Sequence, residues 1–315
     1  MLVTLTMNPS VDRTVALAEL ALGETNRVQE VRSDASGKGI NVSRALMQLG
    51  IPSTAAGFLA GREGEFVEEA VRSFGITPHF TWLNQGQTRI NTKILELNHN
   101  RTTEVNEPGP KVDAAAEAAL WQDLAELIPQ AEYVVCSGSL PPGVNHDFYF
   151  RLVEKCRAQG VPVILDASGP ALIAGVKAKP FMIKPNVDEV AQLLGWRPEG
   201  KEERSRAIAS LAELGIEIVA MSLGADGAVF YRRGEAVLWG RAAAEPLAST
   251  SGCGDALLTG VLVSLLAERP WAETVRWSIA TATATAEIFG TNFPDQAHIE
   301  SVLPRVVVEE LSGQN

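Results

Sequence analysis

The chain has 315 residues, of which 46% are hydrophobic, which is enough to bury a substantial core in one large domain. Its formal net charge is −11 and no basic run exceeds two residues, which argues against nucleic acid as a partner. The three cysteines are widely spaced, the N-terminus lacks a signal-peptide pattern, and no apolar run reaches transmembrane length. Together these features predict a cytoplasmic protein that does not bind membranes.

Short β-rich runs alternate with longer helical patterns, which predicts an α/β fold with a mostly parallel sheet covered by helices. The predicted strands lie at 2–7, 53–58, 133–137, 161–166, 181–184 and 218–222, followed by a hairpin of 228–231 with 236–240. The predicted helices lie at 41–49, 65–74, 114–128, 147–159, 188–194, 201–214, 254–267, 274–289 and 299–311.

Two polar stretches interrupt this alternation and predict a separate small sheet. The segments at about 11–33 and 87–106 are rich in Thr, Asn, Arg and Glu, and residues 88–94 alternate with period two. A small sheet over the strand ends would form a lid that excludes water from a site beneath it. The alternative is a β-extension that serves only dimer contact.

Residues 250–255 carry the strongest indication of chemistry. Gly252 and Gly254 flank Cys253 directly before a predicted helix, whose N-terminus presents unpaired N–H groups to an anion. An aspartate is unfavourable in a loop that only binds anions, because its charge repels phosphate. As a general base, however, Asp255 would take the proton from a hydroxyl that attacks the phosphate. The loop therefore predicts a phosphoryl-transfer centre.

A second glycine turn, Gly37-Lys38-Gly39, precedes the helix predicted at 41–49. It matches neither the P-loop, which needs Ser or Thr in place of Gly39, nor the dinucleotide fingerprint, which needs glycine in place of Val42. It offers backbone amides, the cation Lys38 and the side-chain amide of Asn41, a combination suited to a polyol that bears a phosphate. An ordinary helix-start turn accounts equally for these residues.

Further polar residues follow predicted strands and are expected at one sheet edge, where α/β proteins bind ligands. Asp12 comes after the first strand and can accept two vicinal sugar hydroxyls; a simple turn aspartate is the alternative. Asn186 and Glu189 have the spacing of a helix capping box, yet beside a nucleotide they could also orient water bound to Mg²⁺. The turns at 137–143 and 222–227 offer amides and hydroxyls for phosphate or ribose.

From end to end the chain resembles the ribokinase-like carbohydrate kinases, the PfkB family. The matching segments are Gly37-Lys38-Gly39-Ile40-Asn41-Val42, Gly138-Ser139-Leu140-Pro141-Pro142-Gly143, Lys184-Pro185-Asn186 with Glu189, Ser222-Leu223-Gly224 with Gly227, and Gly252-Cys253-Gly254-Asp255. Residues 8–12 and 88–93 are similar to the branch of 1-phosphofructokinases and tagatose-6-phosphate kinases. The resemblance implies one domain over 1–315, with a three-layer α/β/α core and a β lid, a homodimer through the lid, and MgATP as phosphoryl donor.

Carried onto this chain, the resemblance implies a role for each matching residue. Asp255 would be the catalytic base, and the amides of Gly252, Cys253 and Gly254 would form the anion hole. The sugar would contact Asp12, Gly37, Lys38, Asn41 and Ser139. ATP would contact Lys184, Asn186, Ser222, Gly224, Gly227 and Gly254, with Glu189 near the Mg²⁺ through water. Thr250, just before the matching segment, is also predicted to contact ATP.

Arg27 and Arg89, in the predicted lid strands, could bind a phosphate that the acceptor already carries, because guanidinium groups bind phosphate bidentately. Ordinary strand-surface arginines are the alternative. Fructose 1-phosphate is the leading acceptor, giving fructose 1,6-bisphosphate. Fructose 6-phosphate and tagatose 6-phosphate stay open, since a ketohexose furanose carries a CH₂ arm on each side of its ring oxygen. A non-catalytic sugar-phosphate sensor on the same fold is the alternative outside enzymes, and the presence of Asp255 argues against it.

Cys253 stands where the family more often has alanine. A thiol at a helix N-terminus can have a lowered pKa and be sensitive to oxidation. The alternative is that Cys253 is only a small residue that fits the loop.

Overall fold

The computed structural model describes residues 1–99 and 101–311, and within them the strands form two sheets. The strands are β1 (Leu2–Thr6), β2 (Ser10–Leu17), β3 (Glu30–Ser36), β4 (Ser53–Leu59), β5 (Thr77–Trp82), β6 (Arg89–Glu96), β7 (Arg101–Asn106), β8 (Tyr133–Ser137), β9 (Val163–Asp166), β10 (Met182–Ile183), β11 (Ile218–Ser222), β12 (Ala228–Arg232), β13 (Leu238–Arg241) and β14 (Val307–Glu310). The helices are α1 (Lys38–Gln48), α2 (Gly61–Ser73), α3 (Ala114–Leu127), α4 (Phe148–Ala158), α5 (Gly169–Val176), α6 (Val187–Leu194), α7 (Gly200–Glu213), α8 (Cys253–Leu266), α9 (Trp271–Ala286) and α10 (Gln296–Val302).

The large sheet has the order β14-β13-β12-β11-β10-β9-β8-β1-β4-β5. Seven neighbouring strands of this sheet run parallel: β5, β4, β1, β8, β9, β10 and β11. The strands β12, β13 and β14 extend the sheet antiparallel. Because parallel strands end at the same edge, the residues after β1, β8, β9, β10 and β11 meet there. This edge carries the candidate site.

Helices cover both faces of the large sheet, which gives three layers. One apolar cluster packs α3, α4 and α7 against the sheet through residues such as Leu124, Phe148 and Ile208. On the opposite face, α1, α8, α9 and α10 pack through residues such as Leu46 and Leu258. Strands covered on both faces need continuous apolar runs, which is why these strands lack a polar alternation.

The small sheet has the order β3-β2-β6-β7, and we call it the lid. Its central strands β2 and β6 run parallel in the register Ser10↔Arg89, Asp12↔Asn91 and Thr14↔Lys93. Since side chains alternate along a strand, Arg89, Asn91 and Lys93 project from one face of β6. The prediction of a separate small sheet from the two polar stretches is confirmed. Its strand boundaries differ, because β2 and β3 are joined by a non-strand segment at 18–29.

The prediction of a helix at 299–311 is wrong beyond residue 302. There α10 ends, and after a short turn β14 pairs with β13 at the sheet edge. Pro304 cannot continue an α-helix, and the β-branched run Val306-Val307-Val308 favours a strand. The sequence patterns also missed β5 and α5. Among the described residues, no helix is both long and apolar enough to cross a membrane.

Candidate active site

The N-terminus of α8 forms the centre of the site. Gly252 is its N-cap with φ +80°, a left-handed conformation that favours glycine, and an added Cβ would lie 3.3 Å from the Phe293 ring. The first N–H groups of a helix have no partner within it, so the backbone at Cys253 and Gly254 can bind an anion. Asp255 lies in the same first turn and is buried. A buried carboxylate and a helix terminus with free N–H groups therefore lie side by side.

Asp255 is held by Asn41 of α1, whose Nδ2 donates to Oδ2 of Asp255 at 2.8 Å. Burial, partly offset by the positive charge of Lys38, raises the pKa of Asp255 to about 6. A carboxylate with this pKa is ionised near neutral pH and is a stronger base than an ordinary aspartate. Within the described chain, the buried Oδ1 of Asn41 has no hydrogen-bond partner, which leaves an acceptor for a ligand hydroxyl.

Asp166, at the end of β9, joins two lysines of the site. Its Oδ1 lies 3.2 Å from Nζ of Lys38 and 3.3 Å from Nζ of Lys184. Burial alone would raise the pKa of Asp166, but the two ammonium groups outweigh it and hold that pKa below its ordinary value. Asp166, in turn, raises the pKa of Lys38 well above its usual range. Asp166 therefore holds the side chains of Lys38 and Lys184 together beside Asp255.

Lys184 also lies directly against the anion-binding terminus. A Cβ added at Gly254 would be only 3.3 Å from Nζ of Lys184, and the Lys184 side chain is 5% exposed. Glycine at 254 therefore leaves room for the ammonium group beside the backbone amides. The amides and the ammonium group can bind the same phosphate.

Asp12 lies on the lid strand β2, so it is neither at the end of a core strand, as the sequence predicted, nor in a turn, which was the alternative. Its Oδ1 accepts hydrogen bonds from Oγ of Ser10 at 2.9 Å and Nδ2 of Asn91 at 3.3 Å. Its Oδ2 lies 2.9 Å from Nζ of Lys93. Lys93 also reaches the core, with Nζ 3.5 Å from Oγ of Ser251. The lid thus contacts residues 250–255, which we call the anion loop, directly.

Of the two arginines predicted to bind the phosphate of the acceptor, Arg89 lies on a lid strand and Arg27 does not. Arg89 donates to the carbonyl of Asn8 at 2.9 and 3.2 Å and to the carbonyl of Glu107 at 3.2 Å. Arg27 is exposed and lies in the connection between β2 and β3, so its predicted position on a lid strand is wrong. Residues 24–27 of this connection are polar like the strands beside it, which is why the sequence did not separate them. Ser139, after β8, has an exposed side chain.

The residues predicted for the nucleotide lie along the neighbouring strand ends. Asn186 and Glu189 form the capping box of α6 through bonds of 2.8 and 2.9 Å. Ser222 is adjacent to them, since its N–H donates to the carbonyl of Pro185 and it forms a parallel bridge with Asn186. Gly227 has φ +84°, and a Cβ there would lie 2.1 Å from the carbonyl oxygen of Gly240. Packing alone thus requires this glycine.

Gly224 begins the short turn that follows β11, close to Ser222. Thr250 is exposed at the start of the anion loop, and Gly37 caps α1 directly before Lys38. These positions border the edge of the sheet that carries Asp166 and Lys184.

Residues 5–298 match a family model described as pfkB family carbohydrate kinase. The chain belongs to the pfkB family of carbohydrate kinases. Membership of this family implies transfer of a phosphoryl group to a sugar, with ATP as donor.

Solved structures match this pfkB kinase over nearly its whole length. A Thermotoga maritima protein described as a possible 1-phosphofructokinase matches with TM-score 0.89 and 27% identity, covering 99% of this chain and 100% of that one. Phosphofructokinase-2 from Escherichia coli in complex with potassium matches with TM-score 0.90 and 24% identity, covering 96% and 98%. The same Escherichia coli enzyme in complex with fructose-6-phosphate matches with TM-score 0.86 and 23% identity, covering 96% and 98%. The predicted ribokinase-like fold is confirmed.

The surroundings of Cys253 in the pfkB kinase do not lower the pKa of its thiol. Burial, together with the nearby negative charge of Asp255, raises the pKa of the Cys253 thiol to about 11. Its Sγ lies 3.8 Å from the carbonyl oxygen of Ser249. A thiol with this pKa is protonated near neutral pH and reacts slowly. The geometry therefore favours the small-residue interpretation.

The sequence reasoning missed three residues that the structure brings into the site: Asp166, Asn91 and Lys93. Asp166 is the last residue of a predicted strand, at the sheet edge where α/β proteins bind ligands. Other polar residues were selected as site candidates because they follow predicted strands at this same edge. Asn91 and Lys93 share the period-two face of Arg89 in the lid stretch. In each case a signal was present in the sequence, but the partner residues lie far away along the chain.

Proposed function

We propose that this kinase transfers the γ-phosphoryl group of MgATP to a phosphorylated ketohexose, converting fructose 1-phosphate to fructose 1,6-bisphosphate. The observation that carries the proposal is the buried Asp255, with a pKa raised to about 6, in the first turn of an anion-binding helix and close to Lys38. This is the pairing that a hydroxyl acceptor needs, because one group must take its proton while others hold the phosphate.

In the proposed reaction, the primary hydroxyl of the sugar attacks the γ-phosphorus in line. Asp255 takes the hydroxyl proton as the new O–P bond forms, and the bond from phosphorus to the ADP oxygen breaks. The amides at Gly252 and Gly254 and the ammonium group of Lys184 stabilise the charge on the transferring group. Asp12 and Asn41 hold the sugar hydroxyls, and the lid excludes water that would otherwise hydrolyse ATP.

The residues around Glu189 fit a magnesium ion bound mainly through water and phosphate. Burial raises the pKa of Glu189, and its Oε2 already accepts the N–H of Asn186. The buried Oδ2 of Asp166 has no hydrogen-bond partner in the described part of the chain. Mg²⁺ keeps several waters and takes one or two carboxylates together with phosphate oxygens, so Glu189 and Asp166 would hold it. When bound, it would neutralise charge on the β- and γ-phosphates.

The phosphate of the acceptor is proposed to meet Arg89 and Arg27. Burial lowers the pKa of Arg89, and the negative charge of Asp12 partly offsets this effect. When the acceptor binds, Arg89 would replace a hydrogen bond to a backbone carbonyl by one to the sugar phosphate. A charged phosphate is a stronger hydrogen-bond acceptor than a carbonyl. Arg27 lies on an exposed connection, from which its side chain can extend. The similarity to the Thermotoga maritima protein supports fructose 1-phosphate as the first acceptor to test.

The lid is also proposed as the surface of a homodimer. Its edge strands expose Val31 and Val105, and Leu22 in the connecting segment is 87% exposed. Apolar side chains grouped on one surface are typical of a protein–protein contact.

The test is ADP release from MgATP with fructose 1-phosphate, fructose 6-phosphate, tagatose 6-phosphate, ribose or no sugar. We expect the highest kcat/KM with fructose 1-phosphate and a phosphorylated C6 hydroxyl in the product, read by ³¹P NMR. Preference for either 6-phosphate would keep the mechanism but change the acceptor. Binding of sugar phosphates without acceptor-dependent ADP release would instead indicate the non-catalytic sensor.

A further inference from the structure

Lys93 connects the lid with the anion loop. The sequence motifs predicted no role for this residue. Its ammonium group lies 2.9 Å from Oδ2 of Asp12 on the lid and 3.5 Å from Oγ of Ser251 on the anion loop. The side chains of Lys93 and Asp12 are only 15% and 10% exposed, so water screens this ion pair weakly. The other polar partners of Asp12, Ser10 and Asn91, belong to the lid itself.

The carboxylate of Asp12 has too few free lone pairs to bind a sugar diol while it keeps these partners. An ionised carboxylate offers roughly four acceptor positions. Ser10, Asn91 and Lys93 occupy three of them. Two vicinal hydroxyls need two positions, so one present partner must leave. Lys93 has the long flexible side chain and a second contact to receive it, at Ser251.

We infer that the acceptor displaces Lys93 from Asp12, and that the released ammonium group moves onto the anion loop, where it stabilises the transferring phosphoryl group. The inference rests on the proposed function. Lys93 takes no part in the proton transfer, since Asp255 takes the proton of the attacking hydroxyl. Before the acceptor binds, the charge of Lys93 is neutralised by Asp12. After binding, it lies beside Gly252, where negative charge develops.

This exchange couples the acceptor to the chemistry. Without a sugar, Lys93 stays on Asp12 and the anion loop lacks its positive charge. A water molecule in the acceptor position then attacks the γ-phosphorus more slowly. With a sugar bound, the loop gains the charge of Lys93. Acceptor binding thus raises the phosphoryl-transfer rate in addition to supplying the nucleophile.

The test compares wild type with Lys93→Gln, Lys93→Met and, as a matched control at an exposed lysine, Lys111→Gln. Glutamine at 93 can still donate a hydrogen bond to Asp12, so the lid keeps its contact while the charge is lost. We expect kcat with the preferred acceptor to fall about 10²–10³-fold in both Lys93 variants, the range for loss of one group that stabilises transferring charge. The acceptor KM should stay unchanged in Lys93→Gln, which can still bond Asp12, and should stay unchanged or fall in Lys93→Met, which cannot compete with the sugar for Asp12. ATP hydrolysis without acceptor should change less than threefold.

Three results would overturn the inference. A raised acceptor KM with unchanged kcat would mean that Lys93 only holds Asp12 in place. Unchanged kinetics would remove any role, and an equal loss of sugar-free ATP hydrolysis would show that the charge does not depend on the acceptor. Melting curves of all variants show whether they fold, and Lys93→Arg should recover part of kcat if charge is the cause. A wild-type protein without acceptor-dependent turnover would overturn the proposed function itself, whereas an active wild type with an equally active Lys93→Gln overturns only this inference.

Discussion

Replacing Asp255 by asparagine should lower kcat strongly and stabilise the fold. The carboxylate is buried, and its pKa in the folded protein is raised from 3.8 to about 6. At pH 7.5 it is ionised in both the folded and the unfolded chain, and the difference in pKa corresponds to about 3 kcal/mol of lost stability. Asparagine cannot ionise, and its carbonyl oxygen can still accept the hydrogen bond from Asn41. We therefore expect a free energy of unfolding higher by about 1–3 kcal/mol.

The gain in stability of Asp255→Asn over wild type should decrease as the pH falls. Because the pKa is raised in the folded state, the penalty is complete above about pH 6 and absent below the unfolded value of 3.8. At pH 5 the difference between variant and wild type should shrink to about half. Urea unfolding at pH 7.5 and pH 5 measures both values, and kcat should fall about 10²–10⁴-fold.

Asp188→Asn provides the control, because the Asp188 side chain is 72% exposed on the first turn of α6. Its substitution should change stability by less than about 1 kcal/mol. An Asp255→Asn protein that is less stable than wild type at pH 7.5, or equally stabilised at both pH values, would refute the reasoning from burial. Near-normal turnover of that variant would refute the base assignment.

Three further predictions concern other residues of the proposed site. Asn41→Ala removes a hydrogen bond that lowers the pKa of Asp255, so the acid limb of the kcat profile should move to higher pH; an unmoved limb would contradict this. Cys253→Ala should keep kcat within about twofold, and iodoacetamide should label Cys253 slowly at pH 7.5, because burial raises the pKa of its thiol to about 11. Glu189→Gln keeps an oxygen that can accept the N–H of Asn186, yet it should raise the Mg²⁺ concentration for half-maximal activity about tenfold. An unchanged Mg²⁺ requirement would remove Glu189 from the metal site.

The local parts of the site could be predicted from the sequence. Gly252 and Asp255 lie in one turn, so a short motif was enough to predict a carboxylate at the glycine-capped start of a helix. Asn186 and Glu189 form the capping box that their spacing indicated. Such features depend on the few residues around them, and local spacing determines their geometry.

The long-range contacts could not be predicted from spacing. Asp166 meets Lys38 across 128 positions, and Lys93 meets Ser251 across 158. Only the packing of the lid and of α1 on the sheet brings these groups together. Arg89 is a partial case. The period-two pattern predicted which face of the strand carries it, but not that its guanidinium group donates to the carbonyls of Asn8 and Glu107.

The central claim is that Asp255 takes the proton from a phosphosugar hydroxyl during phosphoryl transfer. Rapid-quench single-turnover transfer from [γ-³²P]ATP to fructose 1-phosphate, measured from pH 5 to pH 8, tests it most directly. The account predicts label on the sugar, a rate that falls as pH drops through about 6, and a loss of at least about 100-fold in Asp255→Asn. Label released only as inorganic phosphate, or an Asp255→Asn rate close to wild type, would contradict it.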